Sequence, residues 1–567
     1  MTSALDSFVR HTHIGYFTME IALRPEMHTY AGGLGVLAGD TARSCADLQI
    51  PVVFVSLVSH AGYLRQDIDE HGRQVEHADQ WDPRNSCTPL KAKAAIDLEG
   101  RTVWIRPWLH IHTCPLGNGI PIVLLDTDPE ENGAADREIT HYLYGGDQAY
   151  RFKQEAVLGI GGVRIVQALG FSIHTYHMNE GHAAFLTLEL LRRHPWPEEH
   201  PEASGLRYDF EPVLEQCIFT THTPVEGAFD KFPYDLVGRM LGDFIEIDEI
   251  RRFAGGDNCN MTRLALNLSG YVNGVAKRHA ETTRRMFPGY HVRAVTNGVH
   301  SGTWAHRSFR RLYDANFPHW SHEPEALARA DQLPDAPLWQ AHMEAKSDLI
   351  RMVKERTGTD MTDEVPLIGF ARRMTGYKRP ELMFADLVRL RRINAKNPFQ
   401  VVWAGKAHPR DAEGKRLIEN INAHISELRG EIRMAFIPNY DLEVARSLVA
   451  GADIWLNTPL PPMEASGTSG MKAAVNGVLN LSVLDGWWVE AWIEDVTGWS
   501  IGADGGGGTD GHHSNDLYDK LESKILPLYH GDRTRWIWMM KQTISKVACY
   551  FNSQRMMRRY ASEAYLR

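Results

Sequence analysis

Six cysteines in 567 residues are few, and no two of them stand as Cys-x-x-Cys. A disulfide scaffold and a structural zinc site are thereby set aside, and reduced, mostly buried thiols are expected. No apolar run reaches the about 18 residues that a spanning helix needs. No His-Glu-x-x-His is present, and the first residues, Met1-Thr-Ser-Ala-Leu-Asp6, lack the basic and apolar regions of an export signal. Basic charge is not in excess: the formal net charge is −10. That disfavours nonspecific binding to nucleic acid while leaving room for a local basic cleft. No internal repeat occurs at periods of about 20–50 residues. The low-complexity tract Gly505–Gly508 reads as a surface loop, with a lid as the alternative. What remains, at 43% hydrophobic and 23% charged residues, is a globular, cytoplasmic protein too long for one ordinary core.

Short apolar runs alternate with helical stretches, the pattern of an α/β protein with parallel sheets. Examples are Ile50-Pro-Val-Val-Phe-Val-Ser56, Ile120-Pro-Ile-Val-Leu-Leu-Asp126, Val365-Pro-Leu-Ile-Gly-Phe370 and Phe399-Gln-Val-Val-Trp-Ala-Gly405. Asp441 to Ala452 reads as an amphipathic helix and Ile454-Trp-Leu-Asn457 as the strand after it. A boundary near Asn297-Gly-Val divides the chain into lobes 1–298 and 299–567. The last stretch, from Trp536 on, reads as a packing or crossover helix.

Four clusters carry chemistry. In Glu464-Ala-Ser-Gly-Thr-Ser-Gly-Met-Lys472 a lysine follows glycines and hydroxyls on a run that reads as a helix. Such a cradle binds anions, and its lysine can join a carbonyl cofactor that carries a phosphate; a Gly/Ser loop with a solvated lysine is the alternative. Gly369-Phe-Ala-Arg-Arg-Met-Thr-Gly-Tyr-Lys378-Arg places Arg372, Arg373, Lys378 and Arg379 together after a buried strand, where mutual repulsion calls for an anion such as phosphate. Tyr30-Ala-Gly-Gly-Leu-Gly35, before a helical stretch from Val36 to Leu48, is a second anion-binding turn. No strand precedes it, which weakens a nicotinamide reading. His177-Met-Asn179-Glu180-Gly-His182, Thr220-Thr-His222-Thr and Thr296-Asn297-Gly-Val-His300 are loops suited to a polyhydroxylated ligand. The Ser-x-x-Lys at Ser469–Lys472 has no Lys-Thr-Gly partner, and the Gly-Lys-Ser/Thr ending of a P-loop is absent.

Together these blocks resemble the α-glucan phosphorylase family of glycogen, starch and maltodextrin phosphorylases. The match runs through Gly32-Gly-Leu-Gly35, Lys153-Gln-Glu155, Asn179-x-x-His182, His222-Thr, Val272-Asn-Gly-Val275, Thr296-Asn-Gly298, Tyr377-Lys-Arg379, Gly405-Lys-Ala407, Asn439-Tyr440 and Glu464–Lys472. The resemblance implies two Rossmann-like lobes of the glycosyltransferase B type with the active site in the cleft between them. It implies pyridoxal 5′-phosphate held as a Schiff base by Lys472, whose phosphate relays a proton to substrate phosphate. Gly33, Gly35, Thr468, Ser469, Arg372 and Tyr440 would seat the cofactor, and Arg373 and Lys378 would bind the substrate phosphate. Glu464, Ala465, Ser466, Gly467, Asn297, Tyr377, Asn179 and His182 would hold the sugar. The main-chain carbonyl of His222 would face the anomeric carbon. The implied reaction is retaining phosphorolysis of α-1,4-glucans to glucose 1-phosphate, with no metal, by a homo-oligomer of a family in which dimers are usual, here in a short prokaryotic form. A nucleotide-sugar glucan synthase shares the fold and is the rival, but Tyr30-Ala31 stand where that family carries a lysine before its Gly-Gly. Departures from the phosphorylase pattern are Ser469-Gly470 for Gly-Asn, Met374-Thr-Gly for Ile-His-Glu, and Arg372 for a common lysine.

Overall fold

The computed structural model describes residues 3–197, 207–502 and 508–566. Residues 505–507 of the glycine tract therefore lie outside the described residues. Two parallel-rich sheets dominate. The larger has ten strands, and its parallel part runs Val292–Ala294, Tyr271–Gly274, Cys217–Thr221, Thr175–Asn179, Ile14–Thr18, Val52–Leu57 and Gly119–Asp126 in spatial order. Beyond Gly119–Asp126 the sheet turns antiparallel through Arg101–Thr113, which also pairs with Thr88–Pro89 and Ala94–Leu98. The expectation of parallel sheets is corrected at this margin. The cause is the turn after Thr113, where Gly117 takes a φ of +87° and the Cys114 N–H donates to Asn118 O, so the chain doubles back without a crossover helix.

The second sheet is wholly parallel, in the order Arg433–Ile437, Gln400–Ala404, Leu367–Ala371, Ile454–Asn457, Leu479–Val483, Gly498–Ile501. The helix expected from Asp441 to Ala452 spans Leu442–Gly451, capped by the Asp441 carboxylate. Both sheets are covered on both faces, as continuous apolar strands require. Along Val52–Leu57, Val53, Val55 and Leu57 enter one core while Val52 and Phe54 enter another. The second core on that sheet is completed by the end of the chain: Met556, Met557, Tyr560 and Ala564 pack there, and Ser553 bonds Ser44 on the helix Gly33–Asp47. All six cysteines are unpaired, and all but Cys549 are buried. Among the described residues no helix is long and apolar enough to cross a membrane.

Segments leaving the two sheets touch directly. The hairpin Arg65–Ile68/Gln74–His77 places two glutamines against loops of the six-stranded sheet. Gln66 donates to Gly405 O and accepts the Asn439 N–H, each at 2.9 Å, while Gln74 exchanges two bonds with the Ala407 backbone. The helix Gly33–Asp47 presses so closely on residue 22 that a Cβ on Gly39 would stand 1.9 Å from the Ala22 carbonyl oxygen. Gly39→Ala is therefore expected to destabilise the protein by about 2–4 kcal/mol, read as a lower urea midpoint at unchanged slope. An unchanged midpoint would show that this contact relaxes freely.

Candidate active site

Functional side chains gather where the strands end, the usual place for ligands in parallel α/β sheets. After the strand Ile454–Asn457 the chain reaches Gly467, whose φ of +81° suits glycine, and then the six-residue helix Ser469–Ala474. That helix buries Lys472 with its ammonium 4.3 Å from the centre of the Trp304 ring. The Trp304 indole N–H donates to Asp40 at 2.8 Å, and Asp40 also accepts from Arg43. Among the described residues no hydrogen bond or ion pair reaches the Lys472 amine. Burial pushes this amine down from 10.5 to about 8; Arg43 lowers it further and Asp40 opposes. The helix that starts at Gly33 is thus what supplies charge beside Lys472.

The four cations of the Gly369–Arg379 segment divide. Arg372 donates to Glu464 Oε2 at 2.6 Å, and Lys378 pairs with the same oxygen. Burial raises the Glu464 carboxyl, but Arg372 and Lys378 outweigh it and hold the group below its ordinary value. Arg379 turns away to the carbonyls of Thr458 and Pro459 and to Asp510. Arg373 is exposed. The expectation of one four-cation anion site is therefore corrected: a carboxylate of the chain itself sits between two of the cations, a third holds a loop, and the fourth is solvated. Tyr377 lies under Lys378, 4.5 Å from its ammonium. Tyr440 is raised by burial and by Asp441, with Arg372 opposing.

Around Glu464 the backbone is clamped. Its N–H donates to Asp485 at 2.9 Å, and the Trp487 N–H donates to Ser466 O at 2.9 Å. Ala465 lies between these two anchors. Ser469 Oγ accepts from Trp455, and Thr468 precedes the helix without a side-chain cap.

The loops of the ten-stranded sheet form a second cluster. Asn179 is fully buried, donating to Thr18 Oγ1 at 3.1 Å and accepting from His222 Nε2 at 2.6 Å. Glu180, at a φ of +75°, accepts the His222 N–H and the Thr223 hydroxyl. Asn179 thus orients His222 here rather than presenting its amide to a ligand. Burial, followed by the neighbouring His279, His177 and His182, pushes His222 down to about 3. His182 lies 3.6 Å from Asp230 and is likewise pushed to about 3, mainly by burial. The backbone of Asn297 is fixed by Val275 O and by Arg555.

In the turn at Tyr30–Gly35 the N–H groups of Ala31 and Gly32 both donate to Glu20, at 2.6 and 3.0 Å. The anion of that turn is again a side chain of the protein. A Cβ on Gly35 would collide with Glu20, whereas one on Gly32 or Gly33 would enter open space. Trp304 and Asp485 carry no motif of their own, whereas Glu20 closes the block Tyr16-Phe-Thr-Met-Glu20 that belongs to the family resemblance; the local signal for Glu20 and Asp485 is that each follows an apolar strand by two residues.

The centre is short of negative charge. Among the described residues Glu464 faces two cations, the Lys472 amine has no ion pair, and the donors Arg372 Nη1 and Ser466 Oγ are buried without a hydrogen-bond partner. A buried amine, unpartnered donors and open space at Gly32 and Gly33 fit a phosphorylated carbonyl cofactor.

Comparison with known proteins agrees with this chemistry. Residues 248–498 match the family described as carbohydrate phosphorylase. A maltodextrin phosphorylase of Thermococcus litoralis is 38% identical, over 97% of this chain and 70% of the relative. A glycogen phosphorylase of Aquifex aeolicus is 34% identical over 97% of this chain and 86% of its own. One of Mycobacterium tuberculosis is 35% identical over 98% and 71%. By sequence kinship across nearly its full length, the chain belongs to the carbohydrate phosphorylase family.

Proposed function

We propose that this protein is a retaining α-1,4-glucan phosphorylase that uses pyridoxal phosphate and releases α-glucose 1-phosphate from non-reducing ends. The observations that carry the reading are the buried Lys472 amine, which has no ion pair among the described residues, and the Arg372 and Lys378 cations that share the Glu464 carboxylate. In this reading residues 1–298 and 299–567 are the two lobes of a glycosyltransferase B fold, and the reaction takes place between them.

Lys472 would hold pyridoxal phosphate, which when bound would supply an acid–base phosphate group beside the substrate phosphate. Thr468, Ser469, Gly33, Gly35, Arg372 and Tyr440 would hold it. Lys378 and Arg373 would bind inorganic phosphate, Lys378 by sharing its charge between that anion and Glu464, Arg373 by turning in from solvent. Glu464, the Ala465–Gly467 backbone, Asn297 and Tyr377 would hold the terminal glucose by its hydroxyls, and His182 a neighbouring sugar. Positive charge grows on the anomeric carbon as the glycosidic bond breaks. The His222 carbonyl would stabilise that charge, and burial, which holds the His222 ring down to about 3, keeps it neutral so that it does not repel the centre.

The test is incubation of loaded protein with maltoheptaose or glycogen and inorganic phosphate. Phosphate-dependent release of glucose 1-phosphate is expected. Transfer from ADP-glucose without phosphate dependence would instead identify a glucan synthase and overturn the reading.

A further inference from the structure

We infer that Asp485 is a positioning residue for the phosphorolysis proposed above, setting Glu464 and its two cations through the backbone and tying that setting to the ten-stranded sheet. The inference rests on the proposed reaction. Asp485 follows the strand Leu479–Val483 and is buried. Its Oδ2 accepts the Glu464 N–H and its Oδ1 the Gly486 N–H, both at 2.9 Å. Gly486, at a φ of +55°, approaches Ser466 so closely that a Cβ would lie 2.4 Å from the Ser466 carbonyl oxygen. The Trp487 N–H donates to that same oxygen. Three consecutive residues therefore grip the backbone on both sides of Ala465.

The same turn is held from the other direction. Arg278, on the helix Lys277–Met286, places Nε 3.5 Å from Asp485 Oδ1. Five residues on, Glu490 accepts the Lys277 N–H and the Thr296 hydroxyl. Lys277, Arg278 and Thr296 all leave strands of the ten-stranded sheet. Any shift between the sheets moves Asp485, and with it the one carboxylate that both Arg372 and Lys378 touch. A carboxylate is required because one group must accept two backbone N–H donors and face a guanidinium. Burial and the nearby Glu464 push Asp485 up toward about 6, opposed by those N–H groups and by Arg278.

The experiment compares loaded wild-type enzyme with Asp485→Ala, Asp485→Asn and Arg278→Gln. It reads kcat and KM for phosphate and for maltoheptaose, normalised to bound cofactor, together with melting temperature. Asp485→Ala is expected to lower kcat/KM for phosphate by about 10- to 100-fold per loaded site while the glucan KM changes by about twofold or less. Asp485→Asn, whose amide oxygen can accept one of the two N–H groups, should recover part of the loss. Arg278→Gln leaves both backbone bonds in place and should cost about three- to tenfold in the same constant, with no further loss in the Asp485→Ala background. A lower melting temperature with kcat/KM per loaded site unchanged would overturn the inference, as would fully additive effects of the two substitutions. Should Asp485→Ala fail to fold, wild-type constants in Arg278→Gln overturn it alone. A wild-type enzyme that released no glucose 1-phosphate would count against the proposed reaction instead, which separates the two failures.

Discussion

Lys472→Met should yield a protein that melts above the cofactor-free wild type yet holds no cofactor and releases no glucose 1-phosphate. Loss of activity follows if Lys472 is the cofactor's anchor. The gain in stability follows from its surroundings: the amine is buried against Trp304 and lacks an ion pair among the described residues. A lysine whose folded value is lowered from 10.5 to about 8 opposes folding while it carries charge. Below pH 8 both folded and unfolded chains are protonated and the full cost applies, on the order of 3 kcal/mol. Between about 8 and 10.5 the folded amine is already neutral, and the cost disappears as pH rises. The advantage of the Met variant should thus be largest at neutral pH and vanish in alkali, as checked by urea melts of both apoproteins across pH. A Met variant less stable than wild type at pH 7, or one that keeps its activity, would contradict the assignment. In the wild type, cofactor attachment requires the neutral amine, so its rate should rise about tenfold per pH unit and level off above about 8.

The second large effect is expected from Lys378→Met. Lys378 shares the Glu464 carboxylate with Arg372 and lies over Tyr377. Removing it leaves Glu464 with one cation and the incoming phosphate with none of the fixed charge that Lys378 contributes. A loss of about 10²–10³ in kcat/KM for phosphate is expected, the scale seen when one preorganised charge partner is removed from a reacting centre. Cofactor content should stay at the wild-type level. Lys378→Arg should restore the charge but not the point geometry and recover only part of the activity. A variant that changes the glucan KM alone would place Lys378 outside the phosphate site.

Repeating local patterns were legible in the sequence. The helix Leu442–Gly451 and the strand Ile454–Asn457 follow from their own periodicity, and the strands Leu367–Ala371 and Gln400–Ala404 from continuous apolar runs with no polar face to show. The antiparallel margin was not legible, because Arg101–Thr113 owes its direction to a turn whose meaning appears only once Gly119–Asp126 is in place. The ion pairs at Glu464 were not legible either. They join residues 86 and 92 positions apart, and nothing in the Gly369–Arg379 segment tells which of its cations faces inward.

Residue types, their order along the chain and the family they mark were determined by the sequence alone. So was the presence of Lys472 in a Gly/Ser segment, because hydrogen-bonding capacity and charge belong to the side chains themselves. Tertiary structure decided which partner each charge meets. It set Glu464 between Arg372 and Lys378, sent Arg379 to a loop, filled the Gly32 turn with Glu20, and buried Asn179 under His222. Electrostatic energy depends on distance and burial rather than on position in the chain, and both quantities come into being only when the two sheets are brought together.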